Sequence, residues 1–342
     1  MTAALDDRAL LRVVLELDVA VIVWDHVLGT TMSITADGWS GRLHWPTWDS
    51  TDQELRDAGP PAGFERAPGS WGAMTTRGPG GAQVAVARLA FTFEIGRANV
   101  SIAPALLADG YAKGSEPVRE AVQDWLRWFC TSGSLVLCQP LDLADPSPQL
   151  LSRPSDEPMT WLEMDGEASW IDSDANLTIV FPTASPWSER VGDISAVSRI
   201  VDLASNATPV PSAVALLGAA RVAALRGRRR LALMELGTCM EAVLTNRLSL
   251  PAGHKQTLGP LTKEARKAGI PLPAGIQTTF VDPRNAAVHN GVDPTSAVLV
   301  DAFGILDQLV GEDFPAFAPF TSGEVAHRPQ RADLRIVVPP PR

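Results

Sequence analysis

In the stretch "RVVLELDVAVIVW" (residues 12–24) the odd positions Val13, Leu15, Leu17, Val19, Val21 and Val23 are all apolar, and Glu16 and Asp18 sit between them. Successive residues of an extended chain point to opposite faces, so this period of two fits a half-buried strand and not a helix. "VARLAFTFEI" (86–95) repeats the pattern with Leu89, Phe91, Phe93 and Ile95. Two shorter runs, "SLVLC" (134–138) and "LTIVF" (177–181), read as further strands. An amphipathic helix is expected at about 116–130, where Val118, Val122, Trp125, Leu126 and Phe129 share a face, and a second at about 187–204.

The character of the chain changes near residue 205. All ten tryptophans lie between Trp24 and Trp187. Residues 1–204 carry 14 basic and 28 acidic side chains, a balance of −14, whereas 205–315 carry 11 and 9, a balance of +2. "SNATPVPS" (205–212) has the composition of a linker. Beyond it, "PSAVALLGAARVAALRG" (211–227) and "RRRLALMELGTCMEAVLTNRL" (228–248) read as helices, the second apolar on most faces and so expected in the middle of a bundle. A short helix is expected around Leu258 to Ala268. Asp282-Pro283 and Asp293-Pro294 read as helix starts, with Asp as N-cap and Pro in the first turn, giving "PRNAAVHN" closed by Gly291 and then "PTSAVLVDAFGILDQLV" (294–310). The resulting expectation is an α+β chain of two domains: a strand-rich domain over 1–204, an up-and-down bundle of four to five helices over 205–315, and a largely disordered tail over 316–342 with one short strand at Leu334 to Val338.

Several function classes recede at this level. No run of about 18 apolar residues exists, so no membrane helix is expected. The start "MTAALDDRALL" lacks a basic region before an apolar stretch, which speaks against a secretory signal and for a cytoplasmic chain. Cys130, Cys138 and Cys239 are too few and too scattered for a disulfide framework or a zinc site and are expected as buried thiols. No His/Cys or carboxylate cluster suggests a metal, and no cofactor is expected. The glycine-rich "RGPGGAQ" (77–83) lacks the spacing and the Lys-Ser/Thr of a phosphate loop and reads as a turn before a strand. "DGWSGRLHWPTWD" (37–49) gathers three tryptophans with Arg42 and His44, either a stacking surface for a sugar or base or aromatic packing at a sheet edge.

The most suggestive chemistry lies in "DPRNAAVHNG" (282–291). Arg284 offers a permanent cation with a bidentate fork for phosphate, Asn285 a neutral donor, and His289 the side-chain type that serves as acid or base near neutral pH. Spacing alone means little. With 25 Arg and 5 His in 342 residues, about one such pair is expected by chance, and Arg247 with His254 is a second one. Context carries the weight: the expected helix start at Asp282-Pro283 would add free amides and a dipole favouring an anion.

The succession "ARVAALRGRRRLALMELGTCMEAVLTNRL", a gap, then "RNAAVHNG" and "PTSAVLVDAFGILDQLV" resembles a HEPN domain, the higher eukaryotes and prokaryotes nucleotide-binding fold, over about residues 207–313. Some members of the ApeA-like group of that family also carry a large β-rich N-terminal domain, and a sensor domain restraining the helical part, as in toxin or phage-defence proteins, is a further expectation. The resemblance implies a metal-independent endoribonuclease acting on RNA as a homodimer, with His289 as acid/base, Arg284 stabilising charge on the phosphate and Asn285 positioning it. Glu241, inside the apolar run "CMEAVL", falls where family members often have an acid; it is either a partner for Arg284 or, the reading favoured here, a solvated side chain on an exposed strip. Arg228, Arg229 and Arg230 read as a solvated helix start or an approach to RNA backbone. The alternative is a non-catalytic dimerisation or nucleotide-binding module governed by an N-terminal ligand- or partner-sensing domain.

Overall fold

The computed structural model describes residues 8–48, 57–67, 69–78, 80–96, 107–139, 141, 159–164, 167–172, 190–251 and 257–319. Its architecture is mixed, an N-terminal antiparallel sheet curved into a half-barrel followed by a helical region. The alternating stretches form the two long central strands, β1 (Arg8–Trp24) and β7 (Gly81–Gly96), paired antiparallel. Between them in sequence come β2 (Thr31–Ala36), β3 (Trp39–His44), β4 (Thr47–Trp48), β5 (Asp57–Gly59) and β6 (Gly72–Gly78). The far edge of β7 is divided, its first part pairing with β6 and its later part, from Ala90 to Phe93, with β3. β8 (Met159–Met164) and β9 (Glu167–Asp172) extend the sheet beyond β1. The glycine-rich 77–83 stretch is the β6–β7 hairpin, with Gly78 opposite Gly81. The expected strands at 177–181 and Leu334 to Val338 lie outside the described residues.

One face of the sheet is the core. Leu11, Val13 and Leu15 stand in register with Phe93, Phe91 and Leu89, and all six are buried. Helix α1 (Leu107–Val136) covers them, with Trp125 edge-on to Phe91 at 5.4 Å and stacked on Phe129 at 5.3 Å. This helix is longer than expected at both ends. The strand read at 134–138 is instead the last turn of α1 and the residues just after it, where Leu135 packs on Gly218 and Leu137 on Gly192. The expected start at about 116 is overturned because Pro117 lies within the helix and does not open it.

The opposite face departs from the half-buried expectation. Glu16 does not face solvent: it pairs with Arg88 at 2.5 Å, their side chains 5% and 1% exposed, because the segment carrying Phe64 and Trp71 folds over this side. A register shift between Glu16 and Val21 marks a bulge, after which Ala20 through Trp24 are buried on both faces. There the edge of β1 is met by a side chain. Gln139 accepts from the Ile22 amide at 2.8 Å and donates to the Ile22 and Arg190 carbonyls, doing for β1 what a neighbouring strand would.

Helix α2 (Ile194–Ser205) begins later than 187 because Asp193 caps it, accepting from the Ala196 amide at 2.8 Å. Five helices follow: α3 (Ser212–Leu225), α4 (Arg229–Arg247), α5 (Leu258–Lys267), α6 (Asp282–Asn290) and α7 (Ser296–Asp313). α4 is the hub and packs against the other four. The core does not break at residue 205; one contiguous set of buried side chains runs from Leu11 through Val214 and Leu236 to Phe317. Arg221 of α3 reaches the Leu135 carbonyl of α1 and the Asp307 carboxylate of α7, joining both parts. Cys138 and Cys239 are buried and Cys130 is half-buried, and none of the three is in a disulfide. Burial pushes the Cys239 thiol up to about 12, so it packs as a small hydrophobe. Among the described residues no helix is long and apolar enough to cross a membrane.

Candidate functional site

The helix carrying Arg284 does not start at Asp282. The chain is already helical at Ile276, and Gln277–Val281 form a π turn that runs directly into α6. The Asp282 amide donates to the Gln277 carbonyl, and the Asp282 side chain accepts from Gln277 Nε2 at 2.7 Å, so its carboxylate caps no backbone amide. Pro283, which has no N–H, sits where the ladder returns to α spacing. Arg284 and Asn285 therefore lie about two turns into a helix, and the expected cluster of free amides around them does not exist. The second Asp-Pro start also moves: Thr295 is the N-cap of α7 and accepts from the Val298 amide at 3.3 Å. The glycine stop is as read, since Gly291 adopts φ 68° and its amide returns to the Ala286 carbonyl.

Position along α4 decides what Arg284 can do. Its side chain lies across Gly237, where an added Cβ would stand 2.9 Å from Arg284 Nε. From there Nη2 reaches Glu241 Oε1 at 3.2 Å, one helical turn further along α4. The same oxygen accepts from the Leu258 amide at 2.9 Å, at the first residue of α5. Glu241 is thus not a solvated strip residue. It is bonded to two neighbouring elements, and it supplies α5 with the N-terminal acceptor that Thr257 does not. The pair is mostly covered, with side-chain exposures of 16% for Arg284 and 23% for Glu241. Arg284 Nη1 also lies 3.5 Å from Asn285 Oδ1, a long contact, and its buried Nε has no partner.

His289 is elsewhere. It is exposed on the last turn of α6 and makes no hydrogen bond among the described residues. Five residues separate it from Arg284, a rotation of about 140° around the helix, whereas Asn285 and His289 are four apart and share a face. The structure therefore joins Arg284, Asn285 and Glu241, and keeps His289 apart at the helix end. That end meets the start of α4: Arg230 Nη1 lies 3.7 Å from where a Cβ on Gly291 would be. A shallow depression of about 420 Å³ opens there, lined by Arg228, Arg229, Arg230, Leu231, Met234 and Asp293. Leu231, Met234 and Val292 are large apolar side chains exposed by 40%, 37% and 52% around it.

Arg247 of the second Arg-His pair has a different task. Its Nε bonds both Asp313 oxygens at 3.0 Å and its Nη2 reaches Glu312 at 2.9 Å, clamping the end of α4 to the end of α7. His254 lies outside the described residues. Sequence reasoning missed Gly237, although a glycine inside a long helix, where it costs about 1 kcal/mol relative to alanine, is a signal that something packs on it. Comparison with known proteins returned no matching family model, no matching curated protein and no matching solved structure.

Proposed function

We propose that the chain is a metal-independent endoribonuclease of HEPN type that works as a homodimer. The observation that carries this reading is the Gly237–Glu241–Arg284 arrangement, which holds one cation in a fixed position on the helix that ends with an exposed, unengaged His289. In the dimer, one His289 takes the proton of an RNA 2′-hydroxyl as its oxygen attacks the adjacent phosphorus. The P–O5′ bond breaks, and the leaving oxygen receives a proton from the second copy's His289. The products are a 2′,3′-cyclic phosphate and a 5′-hydroxyl. Arg284 and Asn285 act on the phosphate oxygens, and Arg229 and Arg230 steer the backbone toward the helix end. The exposed Leu231, Met234 and Val292 supply apolar surface for the second copy.

A second reading has its own support. Arg284 is engaged by Glu241 and mostly covered, as expected of a module in which the motif is structural. The two readings separate on incubation of RNA with wild type, His289→Ala and Gly237→Ala, with RNA ends analysed for cyclic phosphate. Catalysis requires cleavage by wild type and its loss in His289→Ala. Gly237→Ala displaces Arg284 and should slow cleavage about tenfold or more, while alanine's better helix propensity, about 1 kcal/mol, protects the melting temperature. Cleavage by none of the three, or equally by all, leaves the binding module.

A further inference from the structure

The chain reverses between α3 and α4 on a run of arginines. Four of the five residues from 226 to 230 are arginine, and the fifth, Gly227, has φ 71° with nothing within 4 Å of the position of a Cβ. That left-handed glycine turns the backbone tightly and leaves Arg228, Arg229 and Arg230 exposed. None of the three makes a hydrogen bond or an ion pair among the described residues, whereas Arg226 has a partner of its own. In a chain with a net charge of −10, three consecutive guanidinium groups without a counter-charge form a local patch of the opposite sign.

Their position runs against helix stability. Arg228 is the N-cap of α4, and Arg229 and Arg230 open its first turn, which holds no acidic residue and no capping side chain. The dipole makes that end positive, so cations are repelled there and carboxylates would suit it better. A local choice that works against the fold points to a task outside it. Arg230 leans toward the end of α6, 3.7 Å from the position of a Cβ on Gly291, and Gly291 is two residues beyond His289. The patch therefore borders the helix end that carries the proposed acid/base. Asp293 lines the shallow depression and Glu235 follows further along α4, and neither carboxylate is paired with these arginines.

We propose that Arg228, Arg229 and Arg230 hold the backbone of a single-stranded RNA, taking the phosphates next to the one that reacts at His289, so that the substrate is a polynucleotide and not a dinucleotide. This subsite rests on the ribonuclease reading for the bond that is cut, and on the patch alone for the strand that is held. Guanidinium groups pair with phosphate oxygens through two parallel hydrogen bonds, and such contacts fix a strand without reading its bases. The depression of about 420 Å³ is shallow, whereas a small-ligand site encloses most of its ligand, so the shape suits a chain lying across it. A duplex would need contacts over successive grooves, more surface than one helix end offers. Residues 1–204, with their balance of −14, repel phosphate, which confines the grip to this turn and keeps the footprint short.

The full chain is titrated with a fluorescent 2′-O-methyl dodecauridylate by polarisation; the probe lacks the attacking hydroxyl, so binding is read without cleavage. Three phosphate contacts make log affinity fall with log salt at a slope of about −2 between about 50 and 200 mM. The triple variant Arg228→Gln, Arg229→Gln, Arg230→Gln binds about tenfold or more weaker at low salt, with most of that slope gone and a melting temperature equal to or above wild type. Arg228→Lys with Arg229→Lys and Arg230→Lys keeps the slope, and Arg266→Gln, exposed at the end of α5, binds as wild type. Absence of saturable binding, a slope unchanged in the triple Gln variant, equal affinity for the dinucleotide, a tighter hold on the duplex with oligoadenylate, or equal affinity for polyglutamate each overturns the proposal. Cleavage of unmodified RNA is scored separately. A strand held through the arginines but never cut removes the ribonuclease reading alone, and cutting that ignores the triple Gln variant removes the subsite alone.

Discussion

Single residues decide more here than their local sequence suggests. His44 reads in the sequence as part of one cluster with Arg42 and three tryptophans, yet the structure divides it: Trp45 is fully buried and 6.4 Å from Phe129, Trp39 is half-buried against the core, and His44 is a hydrogen-bonding strut between two threonines. Burial first, and then the Arg12 and Arg42 charges, hold its imidazole below the ordinary value. The sign of the linkage follows. Unfolded His44 takes up a proton near pH 6.5 while the folded side chain still refuses it, so stability is complete above that pH and falls as pH is lowered toward the folded value. Melting temperatures of wild type and His44→Gln measured from about pH 7.5 to 5.5 should diverge, with the variant showing the shallower slope. Equal slopes would show that His44 is not the group responsible.

At the level of elements, the long periodic segments were the most readable. The alternations at 12–24 and 86–95 became β1 and β7, and the helices between 211 and 310 stand where their spacing put them. Helix starts marked by Asp-Pro were not readable, because these pairs mark a helix start only when the preceding residues are not already helical. At 282 they are, through the π turn, and at 293 the chain takes Thr295 instead. Of the candidate site, the Arg284–Glu241 contact was within reach of the sequence, since a carboxylate in an apolar run needs a partner. The separation of His289 was within reach too, since five residues along a helix turn it about 140° away from Arg284; which of the two would face α4 was not, as that depends on the helix phase set by the π turn. The capping difference is measurable. Thr295→Ala should destabilise by about 1 kcal/mol in urea unfolding, and Asp293→Ala by less than about 0.5 kcal/mol. The reverse order would restore Asp293 as the cap.

For the molecule as a whole, charge and tryptophan content divide at residue 205 while the packing does not. Helix α1 mediates this: it lies on the sheet through Trp125 and Phe129, and near its other end Leu135 stands 3.1 Å from the position of a Cβ on Gly218 of α3. Arg221, 5% exposed, adds a directional tie to Asp307 and to the Leu135 carbonyl. A buried charge pair of this kind gives little net stability, but losing one partner leaves a charge without compensation. Separation of the helices from the sheet would strand Arg221 from α1 and open the apolar surface beneath α3. Cooperative unfolding is the consequence, and the uneven tryptophan distribution provides the probe. Fluorescence reports only the part before residue 205, because no tryptophan follows Trp187, whereas the 222 nm ellipticity is dominated by the helices, most of which follow it. In urea the two signals should trace one transition with the same midpoint and the same slope. Displaced midpoints would mean that the shared core is too weak to couple the parts, and then the composition boundary would also be a thermodynamic one.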